Sequence, residues 1–219
     1  LEKILDINTF IVPEGGNAND VIEERFNILL RNGKKPYFIP VGGSNAIGCL
    51  GYANCFAEIK AQSIKMDLTF NYIIVPNGSS GTHAGLLAGK KWLNDLSTEI
   101  KSYAVLADSS TTRKKTLTKT NETLALLGSD KSVIMTEVDV NGEFLGEHYG
   151  IPTKEMWHAL QLLAQNEGIL IDPVYSGKAF AGMLFDIDKG VIPLGSRVLF
   201  ILTGGTPGLF AYEQYITDL

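Results

Sequence analysis

Residues able to do chemistry collect at short breaks between apolar runs. Asn77-Gly78-Ser79-Ser80-Gly81-Thr82-His83-Ala84-Gly85 comes directly after Tyr72-Ile73-Ile74-Val75. Glycines let a backbone approach a ligand, and hydroxyls donate hydrogen bonds. A helix starting after the loop adds unpaired N–H groups and a positive dipole end. Such a donor set suits a phosphate dianion, with a plain tight turn as the structural alternative. The loop lacks the Lys-Ser/Thr ending of a P-loop and the G-x-G-x-x-G spacing, so neither nucleotide hydrolysis nor dinucleotide binding is supported. A second junction is Asp172-Pro173-Val174-Tyr175-Ser176-Gly177-Lys178. Pro173 forces an extended predecessor there. The Tyr175 and Ser176 hydroxyls could touch a ring nitrogen or a substrate, or Ser176 could simply cap a helix. A third, Thr203-Gly204-Gly205-Thr206-Pro207-Gly208, leaves room for a flat ligand over a strand end, or is a turn before a helix opened by Pro207. The fourth, Val41-Gly42-Gly43-Ser44-Asn45, is similar in shape and reads as backbone geometry.

Other reactive residues are less suggestive. His83, His148 and His158 have no metal-ligand spacing, and no G-x-S-x-G elbow is present. Tyr149, in Glu147-His148-Tyr149-Gly150-Ile151-Pro152, is either surface packing or a functional loop residue. Lys90-Lys91 and Arg113-Lys114-Lys115 read as solvated faces. Cys49 and Cys55 make no disulfide framework, which favours a reducing compartment. The formal net charge of −5 argues against a nucleic-acid partner. Neither a long apolar run nor a basic-then-apolar start is present, so no membrane partner and no secretory leader are expected.

Alternating elements must position these junctions. Periodicity predicts helices over 17–33, 45–62, 82–95, 112–127, 153–167, 177–186 and 207–216. Apolar runs predict strands at 37–39, 72–75, 103–106, 133–135, 168–171 and 198–202. The polar stretch 108–123 reads as a solvated loop and helix face. Strands that are apolar throughout imply burial on both faces, so the expected fold is α/β with a doubly wound, mostly parallel sheet. In such a sheet ligands bind at the carboxyl ends of strands.

Five stretches carry a resemblance in their order and spacing: Ile39-Pro40-Val41-Gly42-Gly43-Ser44, Gly78 to Gly85, Tyr149-Gly150-Ile151-Pro152, Asp172 to Ala179, and Thr203-Gly204-Gly205. Together they resemble the D-cysteine desulfhydrase and 1-aminocyclopropane-1-carboxylate deaminase family, pyridoxal-phosphate enzymes of the tryptophan-synthase-β fold type. The likeness covers most of the chain from about residue 17 onward.

The resemblance implies that Ser79, Ser80, Gly81 and Thr82 hold the phosphate of pyridoxal 5′-phosphate. Ser176 would face the pyridine nitrogen, Thr203 would lie close to the same edge of the ring, and Tyr149 and Tyr175 would line the substrate side. It also implies a homodimer in the cytoplasm acting on a small amino acid. Residues 1–40 would be the tail of a small domain and 41–219 the large cofactor-binding domain. Members of the deaminase branch typically carry Glu and Leu where this chain has Ser176 and Thr203, so the implied reaction is α,β-elimination of D-cysteine. Deamination of the cyclopropane amino acid is the alternative, and a non-catalytic remnant of the fold is another. The family's cofactor-bonding lysine lies in an early segment with no match here. The resemblance therefore implies a missing N-terminal part, with this chain inactive by itself. Lys178 is not that lysine, because the family carries one at its position in addition.

Overall fold

The computed structural model describes residues 4–216. They form two compact units that divide between Pro40 and Val41. In the first, helix α1 (Ala18–Arg31) starts where Asn17 accepts a hydrogen bond from the Asn19 N–H at 3.0 Å. Its stripe of Ile22, Phe26, Leu29 and Leu30 is amphipathic, yet no residue of the helix is buried. Tyr37-Phe38-Ile39 is not a strand, contrary to expectation. A strand exists only by pairing, and no ladder partner reaches this run among the described residues.

The second unit is built on a four-stranded sheet in the order β3-β2-β1-β4, parallel at every pairing. Strands β1 (Tyr72–Asn77) and β2 (Glu99–Ala104) form the centre, while β3 (Asp139–Asn141) and β4 (Val198–Phe200) flank them. Alternation along β1 assigns the two faces. Ile73 and Val75 pack with Phe56 of α2 (Ala46–Lys65), Leu86 of α3 (Gly81–Trp92) and Leu124 of α4 (Ser109–Leu126). Ile74 faces the other way, with Tyr103 against Ala179 and Met183 of α6 (Ser176–Asp188). Helix α5 (Lys154–Glu167), capped by Thr153 as expected, packs Met156, Trp157 and Leu160 with Ile171 and Leu209. Helices on both faces of a parallel sheet bear out the α/β reading. Among the described residues no helix is long and apolar enough to cross a membrane.

Three strand expectations shift, each for a physical reason. The strand expected at 103–106 runs instead over Glu99–Ala104, set by its pairing with β1, and holds a buried Lys101 that breaks the apolar pattern. Its Nζ lies 3.2 Å from Asp139 and from Asp186, and the Tyr103 hydroxyl donates to Asp186 at 2.7 Å. The run 133–135 forms no strand; pairing waits until Asp139, after a 3-10 turn at Met135–Glu137. Gly168 turns left-handed (φ 68°) to end α5, and the 168–171 run joins no ladder. The last expected helix, 207–216, is instead a 3-10 segment (Thr206–Tyr212) followed by one short turn, α7 (Glu213–Ile216).

The polar stretch 108–123 is a solvated face only in part: Ser110, Lys114, Lys115, Thr118 and Glu122 are exposed, but the opposite side of α4 is not. Thr112, Thr116, Thr120 and Thr123 of α4 are buried. The Thr116, Thr120 and Thr123 hydroxyls donate to carbonyls four residues back at 2.9, 2.8 and 2.6 Å, so burial leaves them satisfied.

Candidate active site

The loop after β1 reaches α3 through an unusual backbone turn. Ser80 takes φ 73°, a left-handed conformation uncommon outside glycine, and its carbonyl receives the first helical bond from Ala84 at 3.0 Å. No side chain caps this helix start. Backbone N–H groups of Ser80, Gly81 and Thr82 find no backbone acceptor among the described residues. Unpaired donors at a helix start, together with the dipole, favour an anion.

Two further helix starts are drawn to this loop. The Ser44 hydroxyl, just before α2, shares a hydrogen bond with the Ser79 hydroxyl. Side chains are excluded where these segments meet: a Cβ on Gly42 would lie 2.8 Å from Ser79 Oγ, and one on Gly81 would lie 2.5 Å from Ser44 Oγ. Gly42 and Gly43 also take positive φ, which suits glycine alone. On the other side the Tyr175 ring leans over Gly78, 3.1 Å from where its Cβ would stand. Starts of α2, α3 and α6 therefore share one edge of the sheet.

Beneath the loop lies a buried polar cluster. Asn77 Nδ2 donates to Ser102 Oγ at 3.0 Å and to Thr116 Oγ1 at 3.3 Å, while His83 Nδ1 lies 2.8 Å from Ser102 Oγ. Complete burial lowers the His83 pKa to about 3, so the ring is neutral. His83 therefore supports the loop from below as an uncharged donor or acceptor.

Asp172 organises the start of α6. Its carboxylate accepts from the N–H groups of Val174, Tyr175 and Ser176 at 2.9, 2.6 and 3.0 Å. Capping belongs to Asp172, which corrects the view of Ser176 as the cap. The Ser176 hydroxyl is instead 1% exposed and has no hydrogen-bond partner. A buried hydroxyl with nothing to bond is uncommon and points to a ligand that completes it. A Cβ on Gly205 would lie 3.0 Å from the Asp172 carboxyl carbon, bringing the Thr203-Gly204-Gly205 turn beside α6. Thr203 itself is exposed, past the end of β4 on the same sheet edge.

Tyr149 and Tyr175 meet hydroxyl to hydroxyl, with ring centroids 5.9 Å apart at 69°. Bonding to Tyr149, then burial, pushes the Tyr175 hydroxyl up to about 12. The Tyr149 loop is tied down on both sides. Lys178 Nζ, fully buried, donates to the Leu145 and His148 carbonyls at 2.5 and 3.3 Å, and the Tyr212 hydroxyl donates to the Gly150 carbonyl at 2.7 Å. Burial lowers the Lys178 pKa, but its amino group is committed to the loop and not to the site.

Sequence reasoning missed two contributors. Ser44 reads as backbone geometry in the sequence, although its place before a helix start is the same signal that singles out Ser79. Lys119 was one cation in a polar stretch. It is partly buried and donates from Nζ to the Ser79 carbonyl at 2.9 Å, a contact 40 residues distant in sequence that no local pattern reveals.

A family model described as pyridoxal-phosphate dependent enzyme matches residues 4–204. The chain is 38% identical over 200 residues to a D-cysteine desulfhydrase of Yersinia enterocolitica, covering 91% of this chain and 59% of that one. It is likewise 38% identical over 216 residues to a D-cysteine desulfhydrase of Yersinia pestis, covering 99% of this chain and 64% of the relative. The crystal structure of an ACC deaminase homologue superposes with a TM-score of 0.85 at 34% identity, over 99% of this chain and 64% of that chain. The chain thus spans less than two thirds of the length of these relatives.

Proposed function

The chain belongs to the pyridoxal-phosphate dependent enzyme family, and on that premise we propose that the whole protein eliminates hydrogen sulfide from D-cysteine, the remainder taking up one water to give pyruvate and ammonia. The activity is proposed for the longer protein, because the chain spans 59% and 64% of the two desulfhydrases it resembles. One observation carries the reading: a fully buried Ser176 hydroxyl without a partner, beside an uncapped helix start.

The cofactor fits these residues. Backbone N–H groups and hydroxyls from Ser79 to Thr82 would hold its phosphate, Ser176 its ring nitrogen, and Thr203 would lie near the same ring edge. Bound there, pyridoxal phosphate supplies an electron sink for the pair released at the substrate α-carbon. Ser176 can donate one hydrogen bond to an uncharged ring nitrogen, whereas a carboxylate there would keep the nitrogen protonated. The hydroxyl therefore tunes the site towards a good leaving group such as a thiol. On the substrate side, the Tyr149 and Tyr175 hydroxyls are hydrogen-bonded to each other, and Tyr149 Oη would pass a proton to the departing sulfur. Lys178 and Tyr212 keep that hydroxyl in place through the loop carbonyls they hold.

Likeness to an ACC deaminase homologue supports a second reading, deamination of the cyclopropane amino acid. The full-length protein, incubated separately with D-cysteine, L-cysteine and 1-aminocyclopropane-1-carboxylate, distinguishes them. Sulfide and pyruvate from D-cysteine are expected. 2-Oxobutyrate from the cyclopropane substrate without sulfide from D-cysteine would favour the second reading, and no product from any substrate would contradict both. Ser176→Glu with Thr203→Leu is expected to move activity towards the cyclopropane substrate. The homodimer and cytoplasmic setting implied by the resemblance belong to the same proposal.

A further inference from the structure

Lys119 projects from the middle of α4. Its Nζ donates to the Ser79 carbonyl at 2.9 Å. That carbonyl shares a peptide unit with the Ser80 N–H. No described peptide is cis, and in a trans unit the C=O and N–H point in opposite directions. Drawing the carbonyl to α4 therefore turns the Ser80 N–H away from α4, next in the chain to the unpaired N–H groups of Gly81 and Thr82. Ser80 needs such a hold, because its φ of 73° is unfavourable for a residue with a side chain. Its own hydroxyl offers only a 3.5 Å contact, to the Thr112 carbonyl. Among the described residues no carboxylate forms an ion pair with Lys119; Glu122 acts on it only at longer range.

We propose that Lys119 is a positioning residue for the cofactor phosphate: it locks the Ser79–Ser80 peptide so that the Ser80 N–H faces the anion. This rests on the phosphate reading of residues 79–82. A purely structural role would weaken every ligand alike, whereas this role affects only ligands carrying a phosphate.

The test uses the full-length protein, with pyridoxal 5′-phosphate and phosphate-free pyridoxal titrated by visible absorbance. Lys119→Met is expected to weaken pyridoxal 5′-phosphate about ten-fold, the worth of one charged hydrogen bond, and to leave pyridoxal unchanged. Lys119→Arg, which keeps the charge and a donor, is expected to restore most of the loss. Equal weakening of both ligands, or none, would overturn the proposal. Should Lys119→Met fail to fold, Lys119→Gln is judged by the same ratio. Wild-type protein binding neither compound would instead overturn the cofactor reading, and this proposal with it. Wild-type binding of both, with no selective loss in the variants, would overturn the role of Lys119 alone.

Discussion

At the scale of single residues, the most telling group is the Ser176 hydroxyl. Buried without a partner, it costs the cofactor-free fold its lost hydration. Ser176→Ala should therefore leave the cofactor-free protein as stable as before, or more stable by up to about 1 kcal/mol, while cofactor affinity falls. Thermal melts with and without pyridoxal phosphate check both signs, and a destabilised cofactor-free variant would show that the hydroxyl has a structural partner. The Tyr149–Tyr175 pair makes a separate prediction. The folded-state pKa of Tyr175 is raised, so the native state keeps a proton that the unfolded chain releases near pH 10, and stability falls as pH rises from there to about 12. Tyr149→Phe removes the largest cause of the raised pKa. Ultraviolet titration of phenolate should then show Tyr175 ionising at lower pH, and an unmoved titration would exclude the Tyr149 hydrogen bond as the cause.

At the scale of elements, α4 shows why some of the molecule is hidden in its sequence. Threonines 112, 116, 120 and 123 look like a solvated face, but back-bonding to the preceding turn lets them be buried. Thr120 serves mainly its own helix, whereas Thr116 also receives Asn77 Nδ2 beneath the loop. Thr120→Val should cost within about 0.5 kcal/mol, and Thr116→Val about 1–3 kcal/mol, because it strips a buried amide of an acceptor. Urea unfolding of both variants measures the difference; equal costs would mean that the Asn77 cluster does not depend on α4. The helices were legible because caps such as Asn17 and Thr153 and the apolar stripes are local signals. The strands were harder to read: Lys101 breaks the apolar pattern of β2, and 37–39 and 168–171 have strand composition but no neighbour to pair with among the described residues. Likewise the strand-to-helix junctions that carry Ser79 and Ser176 were visible, whereas Lys119 reaches the site only through tertiary packing.

At the scale of the whole molecule, the parallel order β3-β2-β1-β4 sends the carboxyl ends of β1 and β4 to one edge. The loop at 78–82 and the turn at 203–205 leave from those ends, where Tyr175 at the start of α6 leans over Gly78 and Asp172 meets Gly205. Chemistry gathered from residues more than 100 positions apart follows from that topology, not from any single motif. The central claim is that this edge is a pyridoxal-phosphate seat with a hydroxyl at the ring nitrogen. The most direct measurement is a crystal structure of the full-length protein grown with pyridoxal phosphate. The account predicts phosphate density against the backbone N–H groups of Ser80, Gly81 and Thr82, with the ring nitrogen within hydrogen-bond distance of Ser176 Oγ. Phosphate bound elsewhere, or a ring nitrogen facing solvent while Ser176 stays unpartnered, would contradict it.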